Sequence, residues 1–219
     1  MVVCILKENC EQYKINKMKG KLIALYGINN LGKSTQAKLI VQELNNQGIP
    51  AEYLKYALYE LEPSGPIINN YLRSGNPWNL TSREFQIMQV LNRTQYQIVL
   101  QKKLESGITI IAEDYVGTGI AWGMGSDIDF SFLESLNSHL LKPDISFLFY
   151  GKRFSEGLEA GHKHETDDVL TQKVAEIHNE LGKQYGWEKI HANQPIKFIT
   201  HELMSKIKMA KNKPFEYWK

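Results

Sequence analysis

The sequence predicts an α/β fold in which a mainly parallel, five-stranded sheet is flanked by helices. Three observations carry that expectation. Apolar runs of strand length alternate along the whole chain with stretches of helical periodicity. Two of these runs, Ile108-Thr109-Ile110-Ile111-Ala112 and Ile145 to Tyr150, are nearly continuous in apolar character, as in strands covered on both faces. Between the first run and the first helical stretch lies a glycine-bounded segment, Gly27-Ile28-Asn29-Asn30-Leu31-Gly32-Lys33-Ser34-Thr35. A tight loop from a buried strand into a helix is the building block of such sheets.

The elements follow in order. Residues 1–19 carry little pattern and are read as an N-terminal extension. Lys21 to Tyr26 is the first strand. Ala37, Ile40, Val41 and Leu44 recur at helical spacing, so a helix is expected from about Lys33 to Asn46, with Gly48 at its C-terminal cap. Ala51 to Ala57 is the second strand. Glu62-Pro63-Ser64-Gly65-Pro66 is a turn, and a short helix follows through Ile67, Ile68, Tyr71 and Leu72. After the loop at Asn76 to Asn79, Ser82 is expected to cap a long helix that Gly107 stops. Strand 108–112 comes next. Residues 126–141 look helical and end at Lys142-Pro143-Asp144, before strand 145–150. A charged segment punctuated by glycine, 152–168, leads into a helix ending near Tyr185. Trp187 to His191 is the last strand. Asn193 and Pro195 occupy N-cap and early-helix positions, and Ile196, Ile199, Leu203 and Ile207 form a helical stripe. One domain over residues 20–213 accounts for all of this, with 214–219 as a C-terminal tail.

The bulk composition narrows the function. The chain has 219 residues, 42% hydrophobic and 23% charged, the make-up of a globular protein with a substantial core. A net charge of +2 is too small to argue for a nucleic-acid polymer as partner. No apolar run approaches the roughly 18 residues of a membrane helix. Cys4 and Cys10 are the only cysteines, which fits a reducing compartment. A cytoplasmic protein is expected.

The chemistry centres on the glycine segment, which fits G-x-x-x-x-G-K-[ST] between a strand and a helix. Gly27 and Gly32 allow the backbone to bring its N–H groups to an anion. The helix that starts there adds free N–H groups and partial positive charge. Residues Asn29 to Thr35 would then cradle nucleotide phosphates. Lys33 is expected to reach the β- and γ-phosphates, and Ser34 to ligate Mg²⁺. A plain glycine turn has no need of the Gly-Lys-Ser-Thr run. A three-layer P-loop NTPase fold is therefore expected.

Other constellations are read with alternatives. Glu113-Asp114 closes a buried strand, where a catalytic or Mg²⁺-ordering carboxylate belongs. Neighbours on a strand point opposite ways, so only one should aim at the phosphates; otherwise both are solvated charges. The glycines of Tyr115-Val116-Gly117-Thr118-Gly119 indicate either a close approach to a ligand or a mobile loop. Arg93 shares a helix face with Gln89, Tyr96 and Gln97. That face is most simply solvated, but it can also read a phosphate and a base edge. Lys152, Arg153, His162, Lys163 and His164 belong either to a lid that closes over a phosphoryl group or to an ordinary charged loop. His162 and His164 have no further ligands nearby, so a metal site is not expected among them.

With these residues placed, the chain resembles the thymidylate kinases of the P-loop nucleoside monophosphate kinase group, over about residues 20–210. Gly27 to Gln36 is similar to the family's phosphate loop. Glu62-Pro63 is similar to its Glu-Pro turn, and Asn92-Arg93 with Gln95 to its Asn/Asp-Arg segment. Glu113-Asp114-Tyr115 followed by Thr118-Gly119-Ile120-Ala121-Trp122 resembles the Asp-Arg-Tyr segment and its sequel. Gly161-His162-Lys163-His164-Glu165 falls where the family keeps its lid. The resemblance implies transfer of the γ-phosphate of ATP to dTMP in a homodimer packed through helices. It implies catalytic roles for Lys33, Glu113 and a lid cation, Arg153 or Lys163. Ser34 and Glu113 would serve the Mg²⁺, Asn193 the donor, and Tyr56, Gln89, Arg93, Tyr115, Thr118 and Gly119 the acceptor.

The departures concentrate in the acceptor half. Asp114 stands where the family has arginine, Leu61 where an arginine precedes Glu-Pro, and Gln89 where an aromatic would stack on thymine. In the phosphate loop, Asn29 replaces an acidic residue and Asn30 an arginine of some members. Asp114 would repel an acceptor phosphate unless it faces away. Two alternatives therefore stand beside the thymidylate kinase reading. One is a kinase for another nucleoside or nucleoside monophosphate; the other is a nucleotide-binding regulatory protein with little turnover.

Overall fold

The computed structural model describes residues 18–154, 167–210 and 214–218. Most of the expected N-terminal extension and most of segment 152–168, including His162, Lys163 and His164, lie outside the described residues. The strands are β1 (Leu22–Tyr26), β2 (Ala51–Lys55), β3 (Thr109–Glu113), β4 (Ile145–Tyr150) and β5 (Glu188–His191). The helices are α1 (Lys33–Asn46), α2 (Ser64–Arg73), α3 (Ser82–Glu105), α4 (Val116–Gly125), α5 (Phe130–Asn137), α6 (Asp168–Tyr185) and α7 (Ile196–Met209). All strand pairs are parallel, in the order β2-β3-β1-β4-β5. β1 and β3 are buried along their whole length. Every residue of the two strands faces either another strand or a covering helix, which is why they read as continuous apolar runs.

The strand order sets the position of the site. From β1 the chain passes outward to β2 and returns to β3; it then crosses beyond β1 to β4 and β5. Successive crossovers diverge at β1, so the loops at its carboxyl end border an open crevice, the usual ligand position in such sheets. The loop leaving β1 is the glycine segment.

Local chemistry explains where expected boundaries moved. Thr81, not Ser82, caps α3: its hydroxyl accepts from the Glu84 N–H at 3.2 Å, and the Glu84 carboxylate accepts from the Thr81 N–H at 2.7 Å. This reciprocal capping box is worth about 1 kcal/mol. Residues 126–141 form only α5, which starts where Asp129 accepts the Phe132 N–H. Segment 115–119 is not a loop: Val116 opens the buried helix α4, and Gly117 lets it pack on Trp187 and Tyr26, where a Cβ would come within 2.6 Å of the indole. Pro195, not Asn193, holds the N-cap position of α7. In the apolar stripe of α7, Ile199, Leu203 and Ile207 are buried, but Ile196 is exposed.

Residues 214–218 are docked on the domain. Trp218 is buried, its backbone N–H donates to the Leu140 carbonyl at 2.8 Å, and Tyr217 bridges Leu141. A second small core, Ile68, Tyr71, Leu72 and Phe85, joins α2 to the start of α3, with Tyr71 and Phe85 stacked at 3.8 Å.

Candidate active site

The phosphate loop is built by backbone torsions. Gly27, Asn30 and Gly32 have φ of 127°, 61° and 76°. At Gly27 a side chain is excluded, because a Cβ would lie 2.5 Å from the Phe149 carbonyl of β4. Gly32 precedes α1 with no side-chain cap and no acidic residue in the first turn. The first N–H groups of α1 therefore keep their positive end for an anion. Lys33 is buried, and its ammonium donates to the carbonyls of Gly27 and Ile28 at 2.9 and 2.8 Å. It lies within 3.5 Å of the Asp114 carboxylate.

Opposite the loop, Glu113 ends β3 and is held on three sides. Its carboxylate accepts from Ser34 Oγ at 2.8 Å and from the Tyr53 hydroxyl, and pairs with Lys55 Nζ at 3.1 Å. Burial alone would raise its pKa. The charges of Lys33 and then Lys55, with the two hydroxyl donors, outweigh burial and hold Glu113 below the usual carboxylate value. Ser34 and Glu113 thus form an adjoining pair of hard oxygen donors beside the phosphate loop, a donor set that fits Mg²⁺.

Asp114 overturns the expectation that only one of the two carboxylates faces the phosphates. It follows the last residue of β3 and has φ of 58°, so strand alternation no longer governs its direction. Both Glu113 and Asp114 line the same cavity. Burial, opposed by Lys33 and reinforced by Glu113, pushes the Asp114 carboxyl up from its ordinary value.

That cavity, of about 680 Å³, runs from the phosphate loop (Asn29 to Gln36) to Tyr56, Gln89 and Arg93. Its size is that of a small-molecule site. The solvated-face reading of Arg93 fails, since the side chain is 2% exposed. Nη2 donates to the Tyr115 carbonyl at 3.3 Å, whereas Nε and Nη1 have no hydrogen-bond partner among the described residues. A buried guanidinium with open donors is poised for an anionic ligand. Gly119 makes room for it: a Cβ there would sit 2.9 Å from the guanidinium nitrogens. Gln97 does not share this site, because its amide serves His139 and Leu141. The loop before α2 is fixed by Asn92, which pairs with both backbone groups of Leu58 and with Ser64, and by Gln95, which bonds Ser64 and the Glu62 carbonyl.

The structure brings most of the expected site residues together: Asn29 to Thr35, Glu113, Tyr56, Gln89, Arg93, Thr118 and Gly119 line one cavity. Tyr115 does not reach it. Its side chain is buried against Tyr56, at 5.1 Å between ring centroids, because α4 starts immediately after it and turns the ring into the core. Asn193 does not line the cavity either; its amide clips the backbone of Lys152 at 2.6 and 2.8 Å. Arg153 pairs with Asp168 at 3.3 Å, at the start of α6 and outside the cavity. Lys163 lies outside the described residues. Cavity and supporting residues that escaped sequence reading include Tyr53, Lys55, Arg73, Gln86 and Phe154, the last of which donates its N–H to the Asn30 carbonyl at 2.8 Å. Period-two spacing puts Tyr53 and Lys55 on one face of β2, but only the pairing of β2 with β3 turns that face toward Glu113.

Comparison with known proteins agrees with this geometry. The family model described as thymidylate kinase matches residues 25–203. Thymidylate kinase of Dictyostelium discoideum is 29% identical over 205 residues, covering 91% of this chain and 90% of the relative. Thymidylate kinase of Plasmodium falciparum is 26% identical over 209 residues, covering 92% and 96%. The solved structure of thymidylate kinase from Candida albicans superposes with a TM-score of 0.80 at 21% identity, over 92% of this chain and 99% of that one, a likeness of fold. With the family model spanning the phosphate loop, both carboxylates and Arg93, the chain belongs to the thymidylate kinase family.

Proposed function

We propose that the chain transfers the γ-phosphoryl group of ATP to dTMP, giving ADP and dTDP. One observation carries the reading: a single cavity is lined both by the phosphate loop and by a buried guanidinium with open donors. Two phosphate-bearing molecules can meet there head to head. Family membership supports this reaction over another acceptor or a nucleotide binder without turnover.

The residues divide the work. The phosphate loop and the start of α1 hold the β- and γ-phosphates, and Lys33 leaves its carbonyl partners to join them. Arg93 holds the dTMP phosphate so that one of its oxygens points at the γ-phosphorus. That oxygen forms the new P–O bond as the bond to the ADP oxygen breaks, and the electron pair leaves with ADP. The nucleophile is already ionised, so no general base is required. Ser34 and Glu113 would hold Mg²⁺, which neutralises phosphate charge when bound. Gln89 offers an amide donor and acceptor to the base edge. Thr118 and Gly119 shape the wall beside Arg93. Arg153 and Lys163 are the proposed lid cations; Arg153 would have to leave Asp168 to act. Asn193 supports the donor indirectly, through the backbone of Lys152.

Among the described residues no helix is long and apolar enough to cross a membrane. A cytoplasmic setting, which supplies ATP and nucleoside monophosphates, and a homodimer formed through α3 complete the proposal.

The test is ATP consumption by the purified chain with each nucleoside and each nucleoside monophosphate in turn. Turnover highest with dTMP, and abolished in Lys33→Ala together with most ATP affinity, supports the reading. Absence of dTMP-dependent ADP formation overturns it.

A further inference from the structure

Two carboxylates face the cavity in which the phosphates of both substrates must lie. Lys33 answers one of them and belongs to the donor end. Arg93 is another lining cation. Two further cations, Lys55 and Arg73, also line the cavity, and the Arg73 guanidinium lies over the Tyr59 ring. Lys55 ends β2 and lies directly opposite Glu113 in the β2–β3 register, so the two side chains leave the sheet on the same face. Its ammonium is 3.1 Å from Glu113 Oε1, and its side chain is about half exposed, at 49%. An ammonium carries three N–H donors. Glu113 takes one, and the half-exposed side chain is part of the cavity lining.

The position of Lys55 selects its ligand. β2 is the edge strand, separated by β3 from β1 and its phosphate loop. The next residue, Tyr56, lines the cavity near Arg93. Lys55 therefore stands on the acceptor side.

We infer that Lys55 is a substrate-contacting residue of the acceptor site: it pairs with Glu113 through one N–H and meets the phosphate of the nucleoside monophosphate with the others, beside Arg93. This inference rests on the proposed dTMP reaction. It also gives a physical account of an acceptor site that contains Asp114. With Lys33, Lys55, Arg73 and Arg93 against Glu113 and Asp114, the cavity lining keeps an excess of positive charge for the incoming anion.

The experiment separates the phosphate from the rest of the ligand. Binding of dTMP and of thymidine is measured by titration calorimetry on the wild type, Lys55→Met and Lys55→Arg, with ATP binding as the control. In Lys55→Met the affinity for dTMP should fall by roughly tenfold, the size of one partly screened charge-assisted contact. Thymidine and ATP affinities should stay within about twofold, and Lys55→Arg should recover most of the loss. An unchanged ratio of dTMP to thymidine affinity overturns the assignment, and so does an equal loss for both ligands or a loss confined to ATP. Failure of the proposed reaction reads differently: a wild type that binds dTMP through Lys55 yet transfers no phosphate refutes the reaction and leaves Lys55 in place. A wild type that does not prefer dTMP over thymidine refutes both.

Discussion

Lys33 and Asp114 face one another in the cavity beside the glycine loop, with Nζ 3.5 Å from Oδ1 and the lysine side chain 3% exposed. The phosphate-loop lysine thus carries an internal anion before any substrate arrives. Incoming phosphates must compete with Asp114 for it. Replacing Asp114 with Asn removes the competing charge and keeps a residue that tolerates the left-handed backbone at this position. Affinity for a non-hydrolysable ATP analogue should rise by roughly three- to tenfold, as expected for a partly screened pair. Weaker binding in calorimetry would show instead that Asp114 positions Lys33 productively. Arginine at 114 is a poorer test, since a bulky residue at φ of 58° costs on the order of 1 kcal/mol or more.

Gly119 gives a probe of Arg93 that leaves the fold alone. The atoms a Cβ would meet, at 2.9 Å, belong to the end of a flexible side chain. Gly119→Ala should therefore move the guanidinium with little loss of stability. KM for dTMP should rise by about tenfold or more while KM for ATP holds, because a displaced bidentate cation loses its charge-assisted bonds. A collapse of the melting temperature, or an unchanged KM for dTMP, would refute the assignment of Arg93 to the acceptor.

Much of this site was legible in the sequence, for reasons that differ by residue. Gly27, Gly32, Lys33 and Ser34 fall within one short loop at fixed spacing, so the local sequence encodes their geometry. The carboxyl end of a buried strand pointed to Glu113. Arg93 was misjudged in burial because helical periodicity reports which residues share a face, not what covers it; α4 does so, through Gly119. Asp114 was misjudged because strand alternation was extended one residue past the end of β3, where φ turns positive. Lys55 and Tyr53 depend on β2 lying beside β3, a pairing that strand order determines and local pattern does not. Thr81-x-x-Glu84 was a readable cap that the neighbouring Ser82 obscured.

The proposed homodimer has a candidate face on α3. Ile87, Leu91, Thr94, Ile98 and Gln101 follow one another at three- and four-residue spacing, and Ile98 is 64% exposed. A partner's α3 against this stripe would cover Ile87 and Ile98 together. Light scattering at micromolar concentration should give twice the mass of one chain, and Ile98→Glu should give one. A wild type that runs as a single chain would refute the dimer.

Acid sensitivity should originate at His178, on α6 below the phosphate loop. The imidazole is buried, and its Nδ1–H donates to the Val174 carbonyl at 2.9 Å. Nε2 has no partner among the described residues, and His178 lines a small cavity of about 210 Å³ that also touches Gly27 and Ile28. Burial, more than any neighbouring charge, lowers its pKa from 6.5 to about 3. The native state therefore holds His178 neutral, whereas the unfolded chain protonates it near pH 6.5. A base whose folded pKa is depressed contributes its full stability above the unfolded pKa and loses it as pH falls toward the folded value. Between pH 6 and pH 4 this group alone should remove about 1.4 kcal/mol of stability per pH unit. Surface carboxylates titrate in the same range, so the measurement is the difference between the wild type and His178→Met, which retains bulk without a titrating group. Unfolding by urea at a series of pH values should show a difference that shifts in favour of the variant as pH falls from 6.5 toward 4. A difference that stays constant over that range would mean that acid reaches His178 without unfolding the chain, for instance by way of the cavity beneath the phosphate loop.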